Sequence, residues 1–230
     1  MKEDSKENSI FERLAGKNLN IIKIILLIII LAGIFLLTYS PHLTTHFPIH
    51  IDEWHSIQQA INLANKTYSL GNISGLEIGF DFFLFIIGKL VNLILAYQFF
   101  PAIWAVISAA VLFFTVYSFT DRNFLISILS TIFFGSIRSD QNLTGIWFFT
   151  PLAFSIPFII LYMFFFAKGL REQKREYILL SLGLMMLLVF IHAISVLFAI
   201  PILILSGLFY WKFVKKEAWT FLLFLLIPIS

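Results

Sequence analysis

Cysteine is absent from this 230-residue sequence. No disulfide can form and no thiolate can hold a metal, so the redox character of its compartment stays open. Charge is also scarce: Asp, Glu, Lys and Arg make up 13% of the chain, where a soluble domain carries about 25%. Hydrophobic residues supply 60%, including 28 Phe, and the mean hydropathy is +0.93. Such a chain is not a soluble globular domain. Its apolar runs approach the ~20 residues that a membrane-crossing helix needs. The net charge of +3 reflects loops beside a membrane, and no nucleic-acid partner is expected. There is no internal repeat and no low-complexity tract. The expected fold class is all-α, a polytopic transmembrane helical protein whose partner is the lipid bilayer.

Candidate spans lie at 19–38, 79–97, 101–119, 123–138, 147–167, 177–193 and 195–211, with a further apolar segment from Ala218 to the last residue, Ser230. The first run ends in "LLTYSPHLTT", without a small-residue cleavage pattern, and reads as a retained span after a charged tail, 1–18. Positive charge decides whether 79–97 crosses. If it does, and the N-terminus is cytoplasmic, Lys66, Arg122, Lys168, Arg171, Lys174, Arg175, Lys212, Lys215 and Lys216 all fall outside. If it does not, only Lys66, Lys89 and Arg138 do. The second threading is preferred, and Asp81 and Lys89 within 79–97 favour it too, because charge at bilayer depth is costly. The module 19–230 then has about six complete spans and a truncated seventh, and an N-terminal fragment of a longer protein is expected.

Residues 39–99 become one long exterior loop. It is expected to carry two non-spanning juxtamembrane helices, at about 53–70 and 79–97, separated by the breaker "GNISG". In the first, Trp54, Ile57, Ile61, Ala64 and Tyr68 recur at steps of three and four as an apolar stripe, with Ser56, Gln59, Asn62 and Lys66 elsewhere around it. A second exterior loop is "RSDQNLTG". The glycosylation sequons at Asn65, Asn72 and Asn142 all fall outside in this threading.

The exterior loop opens with "HIDEWH". Adjacent carboxylates beside a span can bind a divalent cation through oxygen, and one can act as a general base toward a hydroxyl. Asp52 also stands where a helix N-cap belongs, and Glu53 in the first turn would complement the helix dipole. The two readings are compatible. His50 and His55 flank the acids as hydrogen-bond partners or substrate contacts. His42, His46 and His50 recur at every fourth residue, but Pro41 and Pro48 argue against one continuous metal-binding helix face. His192 is a lone imidazole in an apolar span: a packing residue is the plainer reading, a functional one the sharper. Glu77 and Asp81 suit a helix start, Asp81 less easily.

This order of features resembles the GT-C superfamily of membrane glycosyltransferases over nearly the whole chain. "HIDEWH" is similar to the His-x-Asp-Glu signature of dolichol-phosphate-mannose-dependent mannosyltransferases and to the Asp-Glu-x-His of protein O-mannosyltransferases. "SIRSDQNLTGIW" is similar in placement to the second acidic motif of oligosaccharyltransferase catalytic subunits, keeping the single acid Asp140 where that family pairs two. The resemblance implies an inverting transferase with a polyprenyl-phosphate sugar donor and a lipid, glycan or protein acceptor on the exterior face. It implies Asp52 as general base, Glu53 as catalytic partner, and His50, His55, Asp81, Lys89, Arg138 and His192 as substrate contacts. A Mg²⁺ or Mn²⁺ ion would be held by Asp52 and Asp140. The rival readings are a non-enzymatic polytopic protein, transporter or scaffold subunit, which would leave the acids and His192 scattered, and a fragment of a glycosyltransferase that is inactive alone.

Overall fold

The computed structural model describes the backbone of residues 4–68, 77–137, 148–198, 205 and 208–226, and the side chains of residues 20–222 within those segments except 197 and 198. No strand occurs among the described residues. The helices are α1 (Asp4–Tyr39), α2 (Ile51–Ala64), α3 (Ile78–Leu90), α4 (Leu93–Tyr97), α5 (Phe100–Phe119), α6 (Phe124–Ser136), α7 (Pro151–Glu172), α8 (Arg175–His192), α9 (Trp211–Lys216) and α10 (Ala218–Leu226). Short 3₁₀ turns follow α1 at Ser40–Leu43 and α8 at Ala193–Phe198.

Four segments are long and apolar enough to cross a membrane: Asn20–Leu43, Phe100–Phe119, Pro151–Glu172 and Arg175–Val196. Each of the last three has 20 to 22 residues, about 30 Å of helix, which matches the hydrocarbon core. This supports a membrane protein. The expected span at 123–138 is a helix of 13 residues, about 20 Å long. The expected span at 195–211 falls partly outside the described residues, and what is described of it begins as a 3₁₀ turn. Six complete spans are thus not seen among the described residues.

Contacts along the bundle fix the direction of each helix. Trp104 near the start of α5 donates to the carbonyl of Phe154 near the start of α7, so these helices run parallel. Phe119 at the end of α5 meets Phe164 in the second half of α7. α6 pairs back along α5, and Gly135 near its end packs against Ile34 of α1. α8 returns along α7; Gln173 turns the chain with φ 54° while the Lys174 N–H closes on the Gly169 carbonyl at 3.1 Å. One end of the bundle therefore gathers the C-termini of α1, α6 and α8 and the N-termini of α5 and α7.

Helices α2, α3 and α4 cap that same end. α3 begins against the last turn of α8, where a Cβ on Gly79 would lie 2.7 Å from the Phe190 carbonyl oxygen, so only glycine lets the two backbones approach. α4 ends at Tyr97, whose hydroxyl donates to the Phe149 carbonyl just before α7. The expected single helix at 79–97 is broken at Val91, which is extended, and restarts at Asn92, whose side chain accepts from the Leu95 N–H at 3.3 Å. The helix expected at 53–70 runs instead over Ile51–Ala64 and stops at Lys66, with φ 59°.

Of the apolar stripe expected to lie at the membrane surface, only Ile57 is buried in the protein. Glu53, Ser56, Ile57 and Ala60 are buried, while Trp54 and Ile61 stay exposed. Beneath α2 and α3, Phe149 sits among Phe80, Tyr97, Phe100, Trp104 and Phe154, with ring centroids 5.2 to 5.8 Å apart. Such aromatic packing contributes about 0.5–1.5 kcal/mol per pair beyond the area buried. It holds the chain entering α7 against the capping helices.

Candidate active site

The start of α2 is locked by a reciprocal cap. His50 is extended at the N-cap; its Nδ1 accepts from the Asp52 N–H at 3.2 Å, and its own N–H donates to Glu53 Oε2 at 3.0 Å. The Ile49 N–H reaches the same oxygen at 2.9 Å. The other oxygen, Oε1, accepts from the Phe149 N–H at 2.8 Å. Glu53 is fully buried, and both its oxygens are taken by backbone donors. Both backbone groups of Phe149 are thus held, the N–H by Glu53 and the carbonyl by Tyr97. Glu53 pins residues 148–150 to α2; its carboxylate is not presented to a ligand.

Asp52, the next residue round the turn, keeps its carboxylate half exposed. Its Oδ2 lies 3.4 Å from His50 Nδ1. That contact is an ion pair only with a proton on Nδ1, whereas the cap requires Nδ1 to accept. The cap is the shorter and better-directed contact, so His50 carries its proton on Nε2 and stacks on Phe148 at 4.6 Å.

Asp52 opens onto a cavity of about 270 Å³ lined by His55, Ser56, Glu77, Thr150, Pro151, Leu152 and His192. Four elements contribute to its wall: the starts of α2, α3 and α7, and the end of α8. Asp52 and Glu77 occupy the first two helix starts. α7 has no acid in its first turn; Thr150 caps it by accepting from the Ala153 N–H at 3.3 Å. Its remaining first-turn amide, at Leu152, has no intrahelical acceptor by position, so a positive helix end faces the cavity.

His192 is oriented from behind. Ser155 Oγ donates to the Leu152 carbonyl at 2.7 Å, so toward Ser195 Oγ, 3.0 Å away, it can only accept. The Ser195 hydroxyl proton is then committed to Ser155, and Ser195 accepts from His192 Nδ1–H at 2.7 Å. This chain fixes the tautomer and leaves Nε2 facing Glu77 Oε1 at 3.7 Å, beyond hydrogen-bond range. Nε2 is available to accept a proton or, once protonated, to donate to an anion.

Two acids are perturbed. Burial, then the charges of Asp81 and Asp52, push the Glu77 carboxyl up to about 7. Asp81 is buried on α3 and accepts from the Tyr68 hydroxyl at 2.8 Å; burial raises it to about 6, against the lowering effect of that hydrogen bond. Both bind protons more tightly folded than unfolded. The stability they contribute is complete below their unfolded values, 4.5 and 3.8, and is lost as pH rises through about 6 and 7. Thermal unfolding in neutral detergent should show Tm falling by several degrees between about pH 5 and 8, on the order of 1–2 kcal/mol, with Glu77→Gln flattening the slope. A Tm rising across that window would contradict this account.

The structure therefore brings Asp52, His55 and His192 to one cavity, with His50 against Asp52 and Asp81 one turn along α3 from Glu77. Lys89 is not brought there: it lies at the far end of α3, exposed, over the Phe85 ring at 4.2 Å. Arg138 and Asp140 lie outside the described residues, as do the sequons at Asn72 and Asn142; Asn65 is exposed at the end of α2. His42 and His46 bond separately, to the Thr45 carbonyl and to Gln98. No group of three or more His, Asp or Glu is arranged to hold a metal among the described residues. Sequence reasoning took Glu77 for a helix start and passed over Thr150, Ser155 and Ser195. Isolated hydroxyls in apolar helices carry no spacing signal. No family model, no curated protein and no solved structure matches this chain.

Proposed function

We propose that the chain is a GT-C-type membrane glycosyltransferase moving a sugar from a polyprenyl-phosphate donor to a lipid, glycan or protein acceptor at the exterior face. The observation that carries this reading is the convergence of Asp52, Glu77 and His192 on one cavity at the end of the apolar helices. A purely structural scaffold gives no reason for three ionisable side chains from three elements to meet there, one with its tautomer fixed. In this reading the segment 39–99 is exterior and α2–α4 lie at the membrane surface, where a lipid-anchored donor presents its anomeric carbon.

Each residue then has a defined task. Asp52, the exposed carboxylate, takes the proton of the acceptor hydroxyl as that oxygen attacks the anomeric carbon. The carbon–oxygen bond to phosphate breaks, and the polyprenyl phosphate leaves with the electron pair, giving inversion. His192 Nε2 takes up a proton as the phosphate charge develops and, with the start of α7, stabilises the leaving anion. Glu53 acts as a positioning residue. At about 270 Å³ the cavity is near the lower limit of small-molecule sites, about 300 Å³, and suits one sugar better than an oligosaccharide.

The test is transfer from labelled polyprenyl-phosphate sugars by the purified chain, with and without EDTA. Product formed from one donor class is expected, and the EDTA arm reports whether a divalent ion takes part. No product from any donor, with folded protein, would count against the reading.

A further inference from the structure

A second cavity lies at the opposite end of the bundle, about 430 Å³ in volume, between the α5–α6 turn and the last turns of α7. Its polar lining includes Arg122, Lys168, Arg171, Asp121 and Glu172, and Phe119 and Phe164 form an apolar wall with ring centroids 5.3 Å apart. The α5–α6 turn is unusual. Asp121 and Arg122 are consecutive non-glycine residues with φ 49° and 64°, a costly arrangement that carries Arg122 to the cavity.

The charges there are unevenly matched. Glu172 is held by Lys174 at 3.0 Å and touches Lys168 at 3.9 Å. Lys168 also lies over the Tyr177 ring at 4.6 Å. Arg122 and Arg171 have no carboxylate within ion-pair distance among the described residues. Two guanidiniums without a carboxylate in ion-pair distance, facing one cavity, suit a bidentate oxyanion, and the phenyl wall beside them favours the phosphate of a lipid over a free carboxylate. The cavity sits where α5 and α7 end, a membrane thickness of about 30 Å from the Asp52 cavity, with phenyl rings on its inner side. A phosphate held there would be joined to acyl chains running along those rings.

We propose that this cavity binds the phosphate headgroup of an anionic phospholipid on the face opposite the Asp52 site. Arg122 and Arg171 grip the phosphate, and Phe119 and Phe164 contact the first methylenes. Asp121 sets a limit by disfavouring a second negative charge, so a phosphodiester is preferred to a phosphomonoester.

The test titrates the purified full chain, in neutral detergent, with phosphatidylglycerol, phosphatidylcholine or inorganic phosphate, reading Tm. A saturable rise with phosphatidylglycerol alone is expected. The Arg122→Gln/Arg171→Gln double variant should need at least tenfold more lipid for half the effect, with its lipid-free Tm little changed. An equal response to phosphatidylcholine, or to inorganic phosphate, would overturn the proposal. So would an undiminished phosphatidylglycerol response in the double variant. If that variant does not fold, Arg171→Gln alone, at an exposed site, carries the same comparison.

Discussion

Glu53→Gln is expected to lower the stability of the protein by about 3 kcal/mol, although it changes one atom. The wild-type carboxylate receives the N–H groups of Ile49, His50 and Phe149 on two oxygens, in a fully buried place. Glutamine offers one oxygen and turns an amide NH₂ toward at least one of those donors. A charge-assisted bond is lost, and a buried N–H is left facing another donor. For a chain of this size that corresponds to a fall in Tm of about 6–12 °C. Differential scanning fluorimetry in detergent measures it. Asp52→Asn, at a half-exposed position one residue away, should shift Tm by less than about 2 °C. Equal shifts in the two variants would show that Glu53 is not the staple described.

His192→Ala is expected to lower kcat for sugar transfer by about 10²-fold with little change in KM. The imidazole stabilises charge that appears only as the phosphate leaves, so its loss is felt in the transition state. Ser195→Ala should give a smaller loss, about tenfold, because His192 stays but Nδ1 loses its acceptor and the tautomer is no longer fixed. The ordering of the two variants is the informative part. A structural role for His192 alone would lower Tm in both and leave the kcat of the folded fraction unchanged.

Helices α1, α5, α7 and α8 were legible as long apolar runs, since few other structures bury so many apolar residues in sequence. That a helix starts here with Glu53 in its first turn was legible too, but the cap was not: His50, and not Asp52, takes the N-cap position, because its ring nitrogen accepts from the Asp52 N–H. Nor was it legible what the acids do there. Asp52 and Glu53 look alike in the sequence; only the fold shows that the second is taken by Phe149, 96 positions away. The apolar stripe of α2 points to a membrane surface; which side meets the protein was not legible. In water an apolar stripe marks the side facing the protein. Beside a bilayer the outward side is equally apolar, so Trp54 and Ile61 can face out while Glu53 and Ser56 face in. The break at Val91 and Asn92 needed cap chemistry that hydropathy does not report. The orientation of His192 rests on two serines 40 residues apart, a pairing that spacing cannot suggest.

The central claim is that the cavity behind Asp52 is a site of sugar transfer. Its most direct test is transfer from a labelled polyprenyl-phosphate sugar by purified wild-type protein and by Asp52→Asn, at matched amounts of folded protein. The account predicts product with the wild type and a loss of about 10²–10⁴-fold in the variant, the size expected when a general base is removed. Transfer at equal rates by the two proteins would contradict it.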